Sequence, residues 1–505
     1  MSVNTERFRM SESVSQTHHD DDAHLKALGY QTSYSRTMSL WGNIALGFTY
    51  LSPLVAIYSL FALAVSTGGP PSIWWIVIVA AGQLLVALVF GEIVSQFPIA
   101  GGLYPWARRL WGKRYAWLIS WIYVWAMLVT ITAVIEFSTG YAMEIFGVAV
   151  TPESTLAFAI GILLVALLLN LGGTKTMSRI ARIGLAAELV GVVGVGLYLL
   201  IFQRRNDWSV FFDTFGKGDG DYMTAFVASA LVGLFMFYGF EACGDVAEEV
   251  SNPGRRIPKA MYLTIFVGAV SALMSFAGYV MAAPNLISIV NGEDMNPIPA
   301  ILESSLGVVG AKIFVGVAVL AFISCILSLQ AAASRLIQSK ARDGMLPGSA
   351  WLAKLTPRTK VPRNALFVAS VIPIILAVVI YAMPDTLVPI TAFAVLGIYI
   401  SFQSVVLASL VQRFKGWRPA GQFQLGAWGM IVNIAALAYG IWAILWLLQP
   451  GASGNFVADW ASLLGLGVVL AAGILYMLIA RPASKSDAPA GDAIEVANQM
   501  RANAK

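Results

Sequence analysis

The sequence predicts an all-α membrane protein with twelve transmembrane helices, and three observations support that prediction. Of the 505 residues, 58% are apolar and only 12% are charged, whereas soluble globular domains carry about 25% charged residues. Apolar runs of about 20 residues, long enough to cross a hydrocarbon core of about 30 Å, recur along the whole chain. The basic residues fall almost entirely on one of the two sides that these runs define.

The apolar runs predict the spans to within a few residues. They lie at residues 39–66, 73–97, 116–143, 154–172, 178–202, 224–250, 259–282, 310–339, 364–383, 386–411, 426–448 and 458–480. An even number of spans places both termini on one side of the membrane. All but four of the 32 basic residues fall on that side, the exceptions being Arg204, Arg205, Lys217 and Lys312.

This charge distribution predicts the orientation of the chain. Lys and Arg are retained on the cytoplasmic side, so both termini are predicted to be cytoplasmic and the protein to be a multi-pass protein of the cell membrane. The topology also accounts for the net charge of +5, and no nucleic-acid partner is needed to explain it. The composition therefore predicts the lipid bilayer as a partner of the chain.

Histidine and cysteine positions argue against an enzyme or a metal centre. His18, His19 and His24 all lie in the polar head, so the apolar body holds no histidine for a Ser-His-Asp arrangement or a zinc site. Cys243 and Cys325 lie in apolar runs and lack metal-ligand or redox spacing. We therefore expect no metal and no cofactor.

The two ends of the chain are polar and lack apolar periodicity. Residues 1–36 and 481–505 are accordingly predicted to be disordered cytoplasmic tails. Between them, residues 37–480 form the predicted twelve-helix membrane domain.

The first and sixth apolar runs contain helix-breaking residues near their centres. A proline interrupts the first run, and a glycine-framed acid lies in the sixth, where a carboxylate is costly unless it is protonated, paired or hydrated. Broken helices expose backbone donors and acceptors at the midplane of many secondary transporters. The candidate substrate-binding residues are those at the two breaks: Ser52, Pro53, Val55, Ala56, Phe237, Tyr238, Gly239, Phe240 and Glu241.

Three stretches resemble signatures of the amino acid–polyamine–organocation superfamily of permeases. The first is Gly91–Gly112, with the sequence GEIVSQFPIAGGLYPWARRLWG, and the second is Ala247–Ala260, AEEVSNPGRRIPKA. The third is Ser334-Arg335 followed by Ala341–Pro347, ARDGMLP. They occur in the family's order, and the span count agrees over residues 37–480.

The resemblance implies a fold like that of the leucine-transporter group. Two inverted five-helix repeats would occupy about residues 37–203 and 224–412, followed by two further helices at about 425–480. It also implies alternating access around a site between helices 1, 3, 6 and 8. The amino acid, γ-aminobutyrate and choline branch is the most similar one.

The signature charges are predicted to act as gates or structural ties. Glu92 is expected to form an ion pair or cap near the inner end of helix 2. Glu248 and Glu249 face Arg255 and Arg256 across a short turn, which suits either a cytoplasmic gate or a solvated charge cluster. Arg335 is expected to fix the inner end of helix 8.

Two positions depart from the family pattern. Helix 1 lacks a Gly-x-Gly run, and its break falls either at Leu46–Phe48 or at Ser52–Ala56; the second is favoured because it is nearer the centre and contains Pro53. Proline has no N–H to offer a substrate carboxylate. In helix 5, Glu188 stands where some proton-coupled relatives carry a lysine, ten residues or about 15 Å from the inner end.

The predicted function is import of an amino acid or small amine by a secondary transporter, with the proton as the favoured coupling ion. Glu241 is predicted to bind the substrate ammonium or take part in coupling, and Glu188 to bind and release the coupling proton. Three alternatives stay open. They are an obligatory exchanger, a sodium-coupled symporter using hydroxyls such as Ser324 and Ser328, and a nutrient sensor that binds without transport.

Overall fold

The described chain is helical almost throughout. A computed structural model describes residues 20–31, 34–218, 220–450 and 456–503. Within these residues the only bridge is an isolated parallel one between Met38 and Val250. Eleven helices are long and apolar enough to cross a membrane: Leu40–Gly68, Pro70–Gln96, Lys113–Phe146, Pro152–Leu171, Thr174–Phe202, Pro253–Ala282, Pro297–Arg342, Arg363–Ala382, Pro384–Phe414, Gly426–Leu447 and Ala461–Ala480.

The sixth predicted span is present but broken into pieces. Its helical segments are Tyr222–Ala228, Leu231–Met236 and Ala242–Asp245. We count it as span six and number the spans one to twelve in chain order. The all-helical, multi-span prediction is therefore confirmed, and the difference in count arises because no single helix of span six is long enough to cross a membrane.

Span one is interrupted at a single residue. Helices Leu40–Leu51 and Pro53–Gly68 meet at Ser52, which has a left-handed backbone (φ 40°, ψ 84°). Pro53 is the first residue of the second helix, a position where a missing N–H is tolerated. The break therefore lies at the second of the two predicted positions. At the first, Gly47 is helical, and a Cβ there would lie 2.5 Å from Cys243 Sγ.

Burial separates a central group of spans from peripheral ones. In the most apolar window of spans one and three, 83% of residues are buried, against 22% in span eleven and 17% in span twelve. The last two spans present large apolar side chains such as Ile431, Val468 and Ile479 on the outside of the bundle. An apolar exterior is what a lipid environment requires, so spans eleven and twelve are peripheral.

Spans five and eight depart from regular α-helix. In span five, helix Thr174–Glu188 is followed by a π-helical segment, Leu189–Gly194, before the α-helix resumes at Val195–Phe202. π-Helical turns are rare and often mark functional positions. Span eight contains Gly307 with φ 71°, so its first turns bend away from the long segment that follows.

The prediction that both tails are disordered is wrong for the described residues. Residues 20–27 are helical, and Leu25, Leu28 and Tyr30 are buried against the bundle. At the other end, Ala493–Asn503 is helical and the N–H of Gly491 donates to the carbonyl of Arg108 at 2.9 Å. A few apolar residues at helical spacing anchor each tail, although the overall composition is polar. His18 and His19 lie outside the described residues.

Both described tail segments pack on the same face as the loop between spans two and three. This is the face that the charge pattern predicts to be cytoplasmic, and we call it the inner face. Tyr30 donates to Asp343 at 3.1 Å and also accepts from Arg108, which is itself paired with Asp343. The inner end of span eight is therefore tied to the first tail.

Candidate functional site

The two breaks lie against each other. Gly239, in the break of span six, has φ 115°, a conformation that favours glycine. A Cβ at this position would lie 2.7 Å from the backbone nitrogen of Leu51, the last residue of the first half of span one. The two breaks predicted separately from the sequence are thus brought together.

Glu241 is fully buried beside this contact and has two hydrogen-bond donors. Its Oε1 accepts from the hydroxyl of Tyr123 in span three at 2.8 Å, and its Oε2 accepts from the N–H of Gly239 at 2.7 Å. Hydrogen bonds to a carboxylate are stronger than those between neutral groups. The carboxyl group is therefore fixed in position by span three and by the break itself. Tyr123 was not predicted, because nothing in the sequence distinguishes it from the other aromatic residues of span three.

The aromatic residues of the break separate into two groups. Tyr238 meets Tyr50 edge to face, with ring centroids 6.5 Å apart, and its hydroxyl lies 3.5 Å from that of Thr130. Phe240 instead packs against Phe90 and Phe402, which belong to spans two and ten. Tyr238 thus faces spans one and three, whereas Phe240 is part of the core packing.

Four further candidates at the breaks have packing or capping roles in this conformation. Phe237 is fully buried. The N–H of Val55 donates to the Ser52 hydroxyl at 3.3 Å, and the N–H of Ala56 donates to the Ser52 carbonyl at 3.1 Å. The first turn of the second half of span one is therefore capped by its own residues.

Glu188 lies on the other side of the span-one break. It is fully buried, and the Ser52 hydroxyl and Leu54 amide are its polar neighbours. Neither carboxyl oxygen makes a hydrogen bond of normal geometry within the described part of the chain. One turn earlier, a Cβ on Gly184 would lie 2.0 Å from Ser324 Oγ. Glu188 is therefore enclosed between spans one and eight.

Hydroxyl groups of spans one and eight meet close to Glu188. Thr49 Oγ1 and Ser328 Oγ are 2.8 Å apart, and Ser324 Oγ is buried without a hydrogen-bond partner among the described residues. The Cys325 thiol donates to the Tyr50 carbonyl at 3.4 Å. These are the hydroxyls that the sodium-coupled alternative uses.

Two ion pairs join the end of span six to the inner end of span eight. Glu249 binds Arg335 through two contacts, Oε1 to Nε at 2.8 Å and Oε2 to Nη2 at 3.4 Å, and both side chains are buried. Glu248 binds Arg342 Nη1 at 3.0 and 3.1 Å. The predicted gate residues are therefore in contact across the inner face.

The expected pairing of these acids with Arg255 and Arg256 is wrong. Asn252 has a left-handed backbone (φ 51°), and span seven begins at the next residue. This turn carries Arg255 onto the first turn of span seven, where it is exposed. Glu248 and Glu249 instead turn toward span eight, 86 or more residues along the chain.

Glu92 makes the structural tie that was predicted for it. Its Oε2 is paired with Arg413 of span ten, and its Oε1 accepts from the N–H of Leu425 at 2.7 Å. Both charged side chains are nearly buried, and neither lies at the two breaks. Glu92 therefore fixes the loop after span ten rather than contacting a substrate.

Two other acids of the apolar spans occupy different surroundings. Asp245 is fully buried one helical turn after Glu241, with an N–H to carbonyl distance of 3.1 Å between the two residues, and its carboxyl oxygens have no hydrogen-bond partner in the described chain. Glu136 lines a cavity of about 270 Å³ with Tyr381 and Leu156, which belong to spans nine and four. Only Asp245 is near the breaks.

Comparisons with known proteins agree with this architecture. The family model described as amino acid permease matches residues 37–479. An amino-acid permease BAT1 homolog of Oryza sativa subsp. japonica is 26% identical over 447 residues, covering 83% of this chain and 85% of the relative. Amino-acid permease BAT1 of Arabidopsis thaliana is 25% identical over 449 residues, covering 82% and 86%. The chain belongs to the amino acid permease family of the amino acid–polyamine–organocation superfamily, and it is a membrane transporter rather than an enzyme.

Proposed function

We propose that the protein imports an amino acid or small amine across the cell membrane by proton symport, with alternating access to a site at the two breaks. The observation that supports this most is the placement of two buried carboxyl groups, Glu241 and Glu188, on the two sides of the break in span one. Acids inside membrane spans commonly mark substrate or proton pathways.

Glu241 is proposed to bind the substrate's ammonium group. Its hydrogen bonds from Tyr123 and Gly239 orient the carboxylate and stabilise its ionised form. The rings of Tyr50 and Tyr238 stand nearby, and aromatic faces attract organic cations. A positively charged group thus finds both a counter-charge and an aromatic wall.

Glu188 is proposed to carry the coupling proton. It is enclosed between the break of span one and span eight, with the Ser52 hydroxyl and the Leu54 amide as its polar neighbours on span one. Taking up a proton would remove a charge from this contact, which both spans share. Such a change shifts an equilibrium between two conformations only if the proton binds one of them more tightly, and a carboxyl group between two separable elements meets that requirement.

The inner face supports alternating access because it is closed by separable contacts. Release into the cytoplasm would require the Glu249–Arg335 and Glu248–Arg342 pairs to part, since they tie span six to span eight. The proposed inverted repeats, residues 37–203 and 224–412, place one break in each half. The termini are proposed to be cytoplasmic, on the face that these pairs close.

A sodium-coupled symporter remains a second candidate on one observation. Ser324 presents a buried hydroxyl with no hydrogen-bond partner in the described chain, and Ser328 and Thr49 lie close by. Oxygen ligands of this kind suit hard cations. The two candidates are distinguished by which ion gradient, proton or sodium, drives uptake.

The test is uptake into proteoliposomes under imposed proton or sodium gradients, with α-amino acids, γ-aminobutyrate, choline and polyamines as substrates. We expect saturable accumulation driven by a proton gradient. Glu188→Gln should abolish the response to the proton gradient while counterflow continues, and Glu241→Gln should raise the substrate KM. Glu136→Gln is the matched control, because Glu136 is a span acid far from the breaks.

Three results would contradict the proposal in different ways. Unchanged uptake and pH dependence in both variants would refute the coupling roles of Glu188 and Glu241. Accumulation driven by sodium alone would replace the proton with sodium. Binding without accumulation under any gradient, or transport only against a counter-substrate, would indicate a sensor or an exchanger.

A further inference from the structure

The charges at the two breaks are all negative. Glu188, Glu241 and Asp245 are fully buried there. The described residues include five buried basic side chains, and each has a partner near the inner face. These are Arg36 with Asp22, Arg108 with Asp343, Arg109 with Asp492, Arg335 with Glu249, and Lys340 with the carbonyl of Trp117.

A substrate carboxylate therefore finds no free basic side chain at the breaks within the described chain. Lys340 illustrates the point. Its ammonium group donates to the Trp117 carbonyl at 3.3 Å and lies 4.8 Å from the centre of that indole ring. The lysine is held at the inner end of span eight, five residues beyond Arg335 and toward the cytoplasmic tails.

The backbone of span one is the other source of donors, because the N-terminus of a half-helix attracts anions. In this protein, most backbone N–H groups in the first turn of the second half of span one are absent or already donate to Ser52. Pro53 has no N–H, the N–H of Val55 donates to Ser52 Oγ, and that of Ala56 donates to the Ser52 carbonyl.

Carboxyl groups of the protein itself face other donors at both breaks. The Leu54 amide and the Ser52 hydroxyl are the polar neighbours of Glu188. In span six, the N–H of Gly239 donates to Glu241 Oε2 at 2.7 Å. At both breaks, therefore, an acid of this chain lies where backbone groups would otherwise receive the carboxylate of an α-amino acid.

We infer that the preferred substrate is an organic amine that carries no carboxylate, bound through its cationic group to Glu241 with Asp245 adding negative charge one turn away. This rests on the proposed transport function and narrows its substrate class. A zwitterionic amino acid would place its carboxylate among three acids, with no buried basic side chain of the described residues there to balance its charge. A mono- or diamine brings only the positive charge that the site lacks.

Matched pairs that differ only by a carboxylate test this inference. The pairs are cadaverine and lysine, putrescine and ornithine, and propylamine and γ-aminobutyrate. Binding is measured on the purified full-length protein in lipid nanodiscs by isothermal titration calorimetry at pH 7, with no gradient present. We expect the amine of at least one pair to bind at least tenfold more tightly than its carboxylated partner.

A variant tests the cause of the preference. Glu188→Ala frees the Ser52 hydroxyl and Leu54 amide, so lysine should gain affinity and the ratio between cadaverine and lysine should fall. Glu188→Gln keeps the shape of the side chain while removing its charge, and a smaller fall is expected. Glu136→Ala, a change in the distant apolar cavity, should leave the ratio unchanged.

The outcomes separate this inference from the proposed function. Equal or tighter binding of the carboxylated partner in every pair overturns the inference, as does binding of an α-amino acid when none of the amines binds. Proton-driven uptake of lysine would then leave the transport proposal standing. Conversely, selective binding of amines without accumulation under any gradient supports the substrate class and refutes proton-coupled import.

Discussion

The buried pair of Glu249 and Arg335 provides a quantitative test of how the inner face closes. Arg335→Met leaves Glu249 with the Thr174 hydroxyl as its other side-chain partner. Removing one partner of a buried ion pair costs about 3–5 kcal/mol, because the remaining charge stays buried without compensation. The pair joins span six to span eight, so this cost falls on the conformation in which the two spans touch.

The magnitude predicts a large change in the population of the open inner face. Each 1.4 kcal/mol corresponds to a factor of about ten in an equilibrium constant, so a loss of about 3 kcal/mol raises the open fraction by about 100-fold while that state is rare. Ser339 is a suitable reporter. It is buried one turn beyond Arg335, and its Cβ would lie 2.5 Å from a Cβ on Gly101 in the loop between spans two and three.

The assay is thiol labelling of Ser339→Cys in a background in which Cys243 and Cys325 are replaced by Ala. We expect Arg335→Met to raise the maleimide labelling rate by at least tenfold. Arg413→Met is the matched control, because Arg413 forms a buried pair with Glu92 away from span eight. It should lower the melting temperature without raising the labelling rate.

One result would refute this reasoning. If Arg335→Met lowers the melting temperature as much as Arg413→Met does but leaves labelling at Ser339→Cys unchanged, the Glu249–Arg335 pair is structural. Closure of the inner face would then depend on other contacts, and the proposed separation of span six from span eight would lose its main support.

Three further predictions concern the break, the first tail and its anchor. Gly239→Ala should lower thermal stability by about 1–3 kcal/mol, since φ is 115° there, whereas Gly140→Ala, with nothing within 4 Å, should be neutral or stabilising. Burial lowers the pKa of His24 from its usual 6.5, so docking of residues 20–31 should be complete above pH 6.5 and should weaken as the pH falls. Hydrogen exchange of these residues measures the docking, and His24→Asn should remove its pH dependence. Asp343→Asn removes the carboxylate that balances the buried charge of Arg108 and leaves it only tyrosine hydroxyls as side-chain partners among the described residues, so trypsin should cut after Lys26 faster.

The spans and the two breaks could be predicted from the sequence because their causes are local. A run of apolar residues must cross the bilayer, and Pro53 or Gly239 changes the backbone where it stands. Glu188 and Glu241 could be identified for the same reason, since an acid in an apolar run is recognisable without knowledge of its neighbours.

The partners of these residues could not be predicted because they depend on packing between distant segments. Tyr123 reaches Glu241 across 118 positions, and nothing distinguishes it locally from the other aromatic residues of span three. The same limit explains the wrong pairing of Glu248 and Glu249. Sequence proximity favoured the arginines of the next turn, but the left-handed backbone at Asn252 directs that turn away.

The error over the tails has a different cause. Composition was averaged over residues 1–36, and that average is polar, yet burial of Leu25 and Leu28 three positions apart is enough to dock one face of a short helix. The docked segment then places Tyr30 beside Arg108 and Asp343. Averages over a segment therefore hide anchors that consist of two or three residues.

The two acids at the breaks, Glu241 and Glu188, differ in the number of hydrogen-bond donors that reach their carboxyl groups. Glu241 accepts one hydrogen bond from its own loop and one from span three, so its ionised form is stabilised and a cation can be held there. Glu188 has the Ser52 hydroxyl and the Leu54 amide near it, but neither of its carboxyl oxygens makes a hydrogen bond within the described residues. The first carboxyl group is thus held by two donors, whereas the second makes no hydrogen bond within the described residues. This difference in hydrogen bonding is the basis for proposing Glu241 as the substrate-binding acid and Glu188 as the proton carrier.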